Sequence, residues 1–458
     1  MAIPSVSSDV SLRPETIDMM YVAEKDLINL GCSTKIHRNP CNPQISPDGL
    51  EFDYPPILTA TYPKERNPSY KTVLIYGHLD VQPAKKSDGW DTEPFEQTEK
   101  TVDGRLQMFG RGTTDDKGPV LAWIIALEQF QRLGIELPLN LKFCLEGMEE
   151  TSSVGLAEFI NQEKDSFFAD VDATIVSDNY WLRTKKPCLT YGLRGIHAFG
   201  LIVECASADM HSGQFGGVVH EANVDVFKIL ASLVDSNGFI NVDGIYDKVD
   251  ELSPEEAKTY ENLDFDIEEF SKSFSISKLS KNTKEKILQH RWRFPSLSLH
   301  GIEGAFSGPG QKTVIPARVE GKFTIRTVPS MTGDDTFQKV KNFIDKQFKK
   351  INSPNKYWVK DYGGGDAWVD DINSEIFKAS HKAVKDVYKI DPDYTREGGS
   401  IPVVNLFAKC TGNPVCLIPM GCGDDRAHSQ NEKLDVRNFV EGTKVLGASL
   451  MFYSGKWN

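Results

Sequence analysis

The sequence predicts an α/β fold, with a mostly parallel central sheet, helices on both faces and an inserted α+β unit. Three observations predict it. Short apolar runs such as Val73-Leu74-Ile75-Tyr76 and Ala173-Thr174-Ile175-Val176 read as buried parallel strands. They alternate with stretches of helical periodicity, the pattern of a sheet covered on both faces. The character of the chain changes after about residue 191 and returns near residue 369.

The elements follow in order. A strand over 72–76 leads into a loop at His78. Residues 119–133 place Val120, Leu121, Ile124, Ile125, Leu127 and Leu133 at helical spacing, and Pro119 suits a first helical turn. A strand over 139–145, a helix over 153–161 and a strand over 172–177 continue the alternation. The inserted stretch reads as a strand over 196–204, a helix over 220–233, a polar helical region over 248–290, a strand over 321–328 and an amphipathic helix over 337–348. A helix over 374–388, a strand over 415–418 and a closing helix after Val436 resume the first pattern. The expected domains are 1–191 together with 369–458, and an insert over 192–368. No internal repeat or low-complexity tract is visible.

Composition narrows the function classes. The 458 residues are 40% hydrophobic and 26% charged, as in ordinary globular proteins. The net charge of −13, from 52 basic and 65 acidic residues, argues against a general nucleic-acid binder. No apolar run approaches the roughly 20 residues of a membrane span. The N-terminus lacks the charged-then-apolar pattern of a signal peptide. The eight cysteines are scattered, with no Cys-x-x-Cys pair. A reducing, cytoplasmic setting is expected.

Carboxylates and histidines close several of the apolar runs. Active sites of open parallel sheets gather at the carboxyl ends of the strands. In His78-Leu79-Asp80 the alternation of side chains puts His78 and Asp80 on one side. His78 can bind a metal while Asp80 accepts its other ring N–H; a satisfied loop histidine is the plain alternative. Asp115-Asp116 lies in the glycine-flanked stretch Gly110 to Gly118. A carboxylate there can bridge two ions, or cap the helix ahead of Pro119. Glu149 and Glu150 repel one another unless cations or protons compensate. One can ligate a metal while the other acts as a general base; a solvated pair in a turn is the alternative. Asp178, in Ser177-Asp178-Asn179, is a strand-end ligand or a turn residue. His428, in a glycine-containing loop, suits a second imidazole ligand. His211, in Asp209-Met210-His211-Ser212-Gly213, is otherwise an ordinary loop histidine. Imidazoles mixed with carboxylates are what a hydrolytic metal centre needs.

Longer runs accompany these motifs: Trp90-Asp91-Thr92-Glu93-Pro94-Phe95, Thr190-Tyr191-Gly192-Leu193-Arg194-Gly195, His290-Arg291-Trp292-Arg293, Pro295-Ser296-Leu297-Ser298, Lys312-Thr313-Val314-Ile315-Pro316 and Arg396-Glu397-Gly398-Gly399-Ser400. Together they resemble the co-catalytic metallopeptidase family of carnosinases, aminoacylases and glutamate carboxypeptidases. Within it the chain is most similar to the cytosolic nonspecific dipeptidases, which include enzymes cleaving Cys-Gly. The resemblance covers nearly the whole chain. It implies two divalent ions per subunit, Zn or Mn, bridged by Asp115. His78 and Asp178 would complete one ion's ligands, and Glu150 and His428 the other's. Glu149 would be the general base and Asp80 the partner of His78. The insert would be a lid and dimerisation domain of a homodimer, supplying His211 across the interface to the neighbouring site. Thr313, Arg326, Gly399 and Ser400 would hold the dipeptide, with Arg326 suited to its terminal carboxylate.

The reaction so implied is hydrolysis of unblocked dipeptides, Cys-Gly among them, with carnosine-like dipeptides and glutathione degradation as further expectations. A metal-bridged hydroxide would attack while Glu149 moves the proton. The alternatives are an N-acyl amino acid amidase of the same family and a catalytically silent metal-binding dimer. Three departures bear on the details. Relatives usually carry an additional leading helix before the segment that starts here near Ile3. Arg426 stands where the family usually has a small residue. Tyr362-Gly363-Gly364-Gly365 stands where close relatives often have a substrate-facing histidine.

Overall fold

In the computed structural model, which describes residues 1–46, 48–273 and 275–457, the strands Thr72–His78, Asn140–Glu146 and Ala173–Val176 are buried along their whole length. Aliphatic residues on both sides of each strand require a cover on both faces. Val73 and Ile75 enter one core, packed with Met20, Trp123, Leu127, Phe377 and Leu446. Leu74 and Tyr76 enter the other, with Leu156, Phe159, Val404 and Phe407. The first core is roofed by helices Arg13–Asn29, Lys117–Leu133, Glu375–Tyr388 and Val436–Tyr453. The second is roofed by Leu156–Glu163 and Pro402–Thr411.

The sheet runs in the order Ser33–His37, Ile57–Tyr62, Asn140–Glu146, Thr72–His78, Ala173–Val176, Val415–Leu417, Cys188–Leu193, Trp368–Val369, with Asp393–Glu397 also on Cys188–Leu193. Its centre is parallel, from Asn140–Glu146 through Val415–Leu417. The first two strands and Trp368–Val369 add antiparallel edges.

A second sheet is antiparallel throughout, in the order Ser296–Glu303, Arg318–Thr327, Gly195–Glu204, Lys356–Gly365. Buried residues alternate along Arg318–Thr327, the mark of a sheet covered on one face. That cover is Ala222–Ser232 and Gly333–Ile351, through Val226, Ile229, Val340 and Ile344. The polar stretch expected to be helical holds Pro254–Asn262, Ile267–Ser273 and Lys284–Trp292. Tyr260, Leu288 and Trp292 give it a small core of its own. Among the described residues, no helix is long and apolar enough to cross a membrane.

Several expected boundaries shift, among them the strand expected over 321–328, which is Arg318–Thr327, and the helix expected over 337–348, which is Gly333–Ile351; one shift bears on the site. The strand before Glu149 ends at Glu146, and Glu149–Thr151 forms a separate 3-10 turn. Ser152 and Ser153 then take positive φ angles of 72° and 49°, which delays the next helix to Leu156.

Candidate metal centre

The site is assembled where the central parallel strands end. Thr72–His78 lies between Asn140–Glu146 and Ala173–Val176, with His78 level with Glu146 and Tyr76 level with Val176. His78 is therefore the last residue of its strand, and Asp178 and the turn carrying Glu149 and Glu150 arrive beside it. His78 Nε2 lies 3.2 Å from Asp115 Oδ1 and 3.6 Å from Asp178 Oδ1. On the other side of Asp115, His428 Nε2 lies 3.0 Å from Oδ2 and 3.1 Å from Glu150 Oε2. Two donor groups result, His78–Asp115–Asp178 and Asp115–Glu150–His428. They share Asp115, one oxygen facing each.

Charge makes the cluster unusual. Burial, reinforced by Asp178 and Glu150, pushes the Glu149 carboxyl well above its ordinary range. Burial likewise raises Asp178 to about 6 and lifts Asp116 further. Asp115 is held well below the usual carboxylate range: its burial is outweighed by His428 and His78, one facing each of its oxygens. His428 is pushed up to about 10 by hydrogen bonds to Asp115 and Glu150. His78 rises too, its burial outweighed by Asp178, Asp115 and Asp80. Like charges so close need a compensating positive charge.

Divalent cations fit that need. His78 Nε2 is buried without a hydrogen bond, although it faces two carboxylate oxygens. A buried imidazole nitrogen aimed between two carboxylate oxygens, with hydrogen-bond geometry to neither, is a metal ligand's arrangement. One histidine and two carboxylates per group suit a divalent cation. A third acidic group, Cys422–Asp424–Asp425, is different. The Lys433 ammonium already bonds Asp424 at 2.6 Å and Asp425 at 2.5 Å, so its charge is met internally.

The supporting residues fix the turn. Asp80 is buried, and its oxygens accept the backbone N–H of Glu149 at 3.1 Å and of Glu150 at 3.0 Å. His78 Nδ1 lies nearer the backbone carbonyl of Asp80, at 3.1 Å, than its carboxylate, at 3.4 Å. Asp116 makes no side-chain cap on helix Lys117–Leu133; it accepts the backbone N–H of His78 at 3.1 Å instead. Sequence reasoning passed over Gln82, Arg111 and Glu432. Gln82 donates to Glu150 at 2.8 Å. Arg111 and Glu432 pair at 2.7 Å beneath the Asp115 loop. A lone glutamate between Asn431 and Lys433 carries no signal that would single it out.

The expected substrate residues form two separate groups. Arg326 donates to Ser400 Oγ at 2.8 Å, and Ser400 in turn bonds the backbone carbonyl of Arg194. Gly399 is next to Ser400 in the same loop. His211 and Thr313 lie together on a small ribbon, where Met210–His211 pairs with Val314–Ile315. Both are exposed. His211 Nδ1 accepts the backbone N–H of Gly213 at 2.9 Å. Among the described residues, no hydrogen bond or ion pair joins His211 or Thr313 to the metal-site cluster. Tyr362 bonds Glu320 on the second sheet, at the outer strand Lys356–Gly365.

Comparison with known proteins is consistent over the chain. The sequence profile described as peptidase family M20/M25/M40 matches residues 74–451. The chain is 48% identical over 457 residues to the Cys-Gly metallodipeptidase DUG1 of Candida albicans, covering 99% of this chain and 93% of that protein. It is 46% identical over 444 residues to the human Beta-Ala-His dipeptidase, covering 97% and 86%. The structure of the di-peptidase Dug1p from Saccharomyces cerevisiae superposes with a TM-score of 0.90 at 47% identity, over 100% of this chain and 94% of that one. Human carnosine dipeptidase 1 superposes at 0.88 with 44% identity, over 99% and 94%.

Proposed function

The chain belongs to peptidase family M20/M25/M40 and is a metallopeptidase, and from that premise we propose that it hydrolyses unblocked dipeptides at a centre of two divalent cations. Cys-Gly is the first candidate substrate, since a relative of 48% identity is named for that activity. Carnosine-like dipeptides are the second. Release of amino acids from Cys-Gly would place the chain in glutathione degradation, in the cytoplasm. The observation that carries the reading is the buried, unbonded His78 Nε2 between Asp115 and Asp178, mirrored by His428 on the other oxygen of Asp115.

His78, Asp115 and Asp178 would hold one cation, and Asp115, Glu150 and His428 the other, with Zn or Mn as candidates. Bound there, such ions polarise a carbonyl and make water acidic enough to ionise near neutral pH. Glu149 takes the proton of the attacking water and returns it to the leaving amine. Its burial, which raises its proton affinity, suits that task. Asp80 holds Glu149 and Glu150 in register through their backbone N–H groups. Arg326, Ser400 and Gly399 receive the dipeptide, the guanidinium fork matching its carboxylate, and Thr313, on the ribbon of His211, joins them from wherever His211 acts.

Residues 1–191 and 369–458 form the catalytic domain, and 192–368 the lid and dimerisation domain of a homodimer. His211 then reaches the partner's site and donates to the developing oxyanion, a contribution on the order of 100- to 1000-fold in rate. Its exposure and its separation from the cluster in its own chain support that reading.

The test is a panel of Cys-Gly, carnosine, other dipeptides and N-acetyl amino acids, with chain loaded with Zn or Mn. Unblocked dipeptides are expected to be cleaved fastest. Faster cleavage of N-acylated substrates would reassign the chain as an amidase. No hydrolysis at full cation occupancy would make it a binding protein.

A further inference from the structure

Glu432 is fully buried and lies four residues past His428. Its Oε1 accepts three backbone N–H groups, from Gly112 at 3.0 Å, Thr114 at 3.0 Å and Asp115 at 3.2 Å. Its Oε2 accepts Arg111 NH1 at 2.7 Å. The other arm of the same guanidinium, NH2, reaches the backbone carbonyl of Ser429 at 3.3 Å. Ser429 follows His428 directly. One buried ion pair thus joins the backbone of Asp115 to the loop of His428. Arg111 cannot swing away, because its guanidinium is buried over the Trp90 ring, 5.2 Å from the centroid.

The two donor groups differ in how they are held. His78 ends a fully buried strand. His428 stands in a loop, with a left-handed φ of 62° and a side chain 58% exposed. Its own packing does not fix it. Asp115 and His428 must nevertheless keep a spacing of 3.0 Å between their facing atoms. Asp425 helps from the other side, accepting Thr114 Oγ1 at 3.0 Å and the backbone N–H of Cys422 at 2.8 Å. It lies farther from His428 than Ser429 does along the chain.

We infer that Arg111 and Glu432 are positioning residues that set the spacing of Asp115 and His428, and so govern cation affinity at the Asp115–Glu150–His428 group. The His78–Asp115–Asp178 group depends on them less, because it meets them only through the shared Asp115, while its histidine and Asp178 are placed by the central sheet. This rests on the two-cation reading above. Groups that orient metal ligands typically control affinity by about 10- to 100-fold.

The test is a Mn²⁺ titration of the cation-free full chain, followed by calorimetry and by the loss of free-ion electron resonance. The unsubstituted chain is expected to bind two ions in separable steps. His428→Ala identifies the step that belongs to its group. Glu432→Gln, which keeps a loop acceptor but loses the ion pair, is expected to weaken that step about 10- to 100-fold and the other less than about threefold. Arg111→Lys, which keeps the charge but loses the arm to Ser429, is expected to weaken the same step. Combined with His428→Ala, either change should cost nothing more at that step. Should Glu432→Gln fail to fold, Arg111→Lys decides alone. A chain that binds fewer than two ions unsubstituted overturns the two-cation reading. Two ions bound, with folded variants unchanged or weakened equally at both steps, overturns the positioning role.

Discussion

Replacing Asp80 by asparagine probes the turn that carries the base and one cation ligand. Asp80 is fully buried, and each oxygen accepts one backbone N–H, from Glu149 at 3.1 Å and Glu150 at 3.0 Å. Asparagine offers one oxygen. Its NH2 must face the second N–H or turn away, so one charge-assisted bond of about 1.5–3 kcal/mol is lost. Against this, removing the charge relieves Glu146, which burial and then Asp80 push up to about 7. That relief is worth about 1 kcal/mol. The net expectation is a loss of roughly 0.5–2 kcal/mol in stability. The catalytic effect is larger. A misplacement of about 1 Å costs about 100-fold in rate, and both Glu149 and Glu150 ride on this turn. Urea unfolding of the cation-free chain gives the first number, and kcat of the loaded chain the second. A stability change under about 0.5 kcal/mol with unaltered kcat would show that the turn's own bonds suffice. Those are the N–H groups of Thr151 and Ser153 to the Met148 carbonyl at 3.1 and 2.7 Å and of Ser152 to the Glu149 carbonyl at 3.0 Å.

Other perturbations separate the remaining roles. Glu149→Gln should keep both cations, because it removes a base and not a ligand, while turnover falls at least about 100-fold; cation content by atomic emission and a dipeptide assay check this together. Chelation should lower the unfolding midpoint, since a cation at about 100 times its Kd adds about 2.7 kcal/mol; an unchanged midpoint would mean that the cluster holds no ion when folded. Mixing Glu149→Gln with His211→Ala subunits should restore activity, because one site of each mixed dimer is then complete. With subunit exchange verified, activity no higher than the separate variants would place His211 in its own chain's site or outside catalysis. Asp170→Asn should destabilise the chain at neutral pH, because it removes the carboxylate that faces the buried Lys142 ammonium. Lys142 and Arg66 hold Asp170 below its ordinary value of 3.8 in spite of burial. Its contribution is complete above that value and fades as pH falls through the depressed one, so the gap between the two proteins should close in acid.

The sheet was legible where the sequence carries a period or a continuous apolar run. Thr72–His78 and Ala173–Val176 were visible because burial on both faces keeps their runs nearly continuously apolar. The antiparallel strands Ser296–Glu303 and Lys356–Gly365 were not, because their residues are largely half-buried or exposed. Cys188–Leu193 escaped because its run is short and adjoins a proline. In the site, the structure brings His78, Asp115, Glu150, Asp178 and His428 together in space. Their residue types alone left each with a plain alternative. Asp116 shows why: an aspartate before a proline-led helix reads as a cap, yet its carboxylate serves His78. Glu432 was invisible for a related reason. Three of its four partners are backbone N–H groups 317 to 320 residues away, and backbone groups leave no trace in side-chain identity.

That difference limits what Arg426 can do. It stands two residues before His428 with a φ of 58°, and its side chain is exposed. Among the described residues it makes no side-chain hydrogen bond or ion pair. It therefore has no path into the Arg111–Glu432 network except through the backbone of its own loop, where Ser429 N–H bonds its carbonyl at 2.9 Å. A solvated charge acting across water is worth about 1 kcal/mol or less. By that bound its charge can change cation affinity by no more than about fivefold, whereas the buried pair beneath Asp115 acts through fixed bonds and is not screened. Position in the loop does not by itself confer control over the site; a buried, doubly bonded connection to the ligand does.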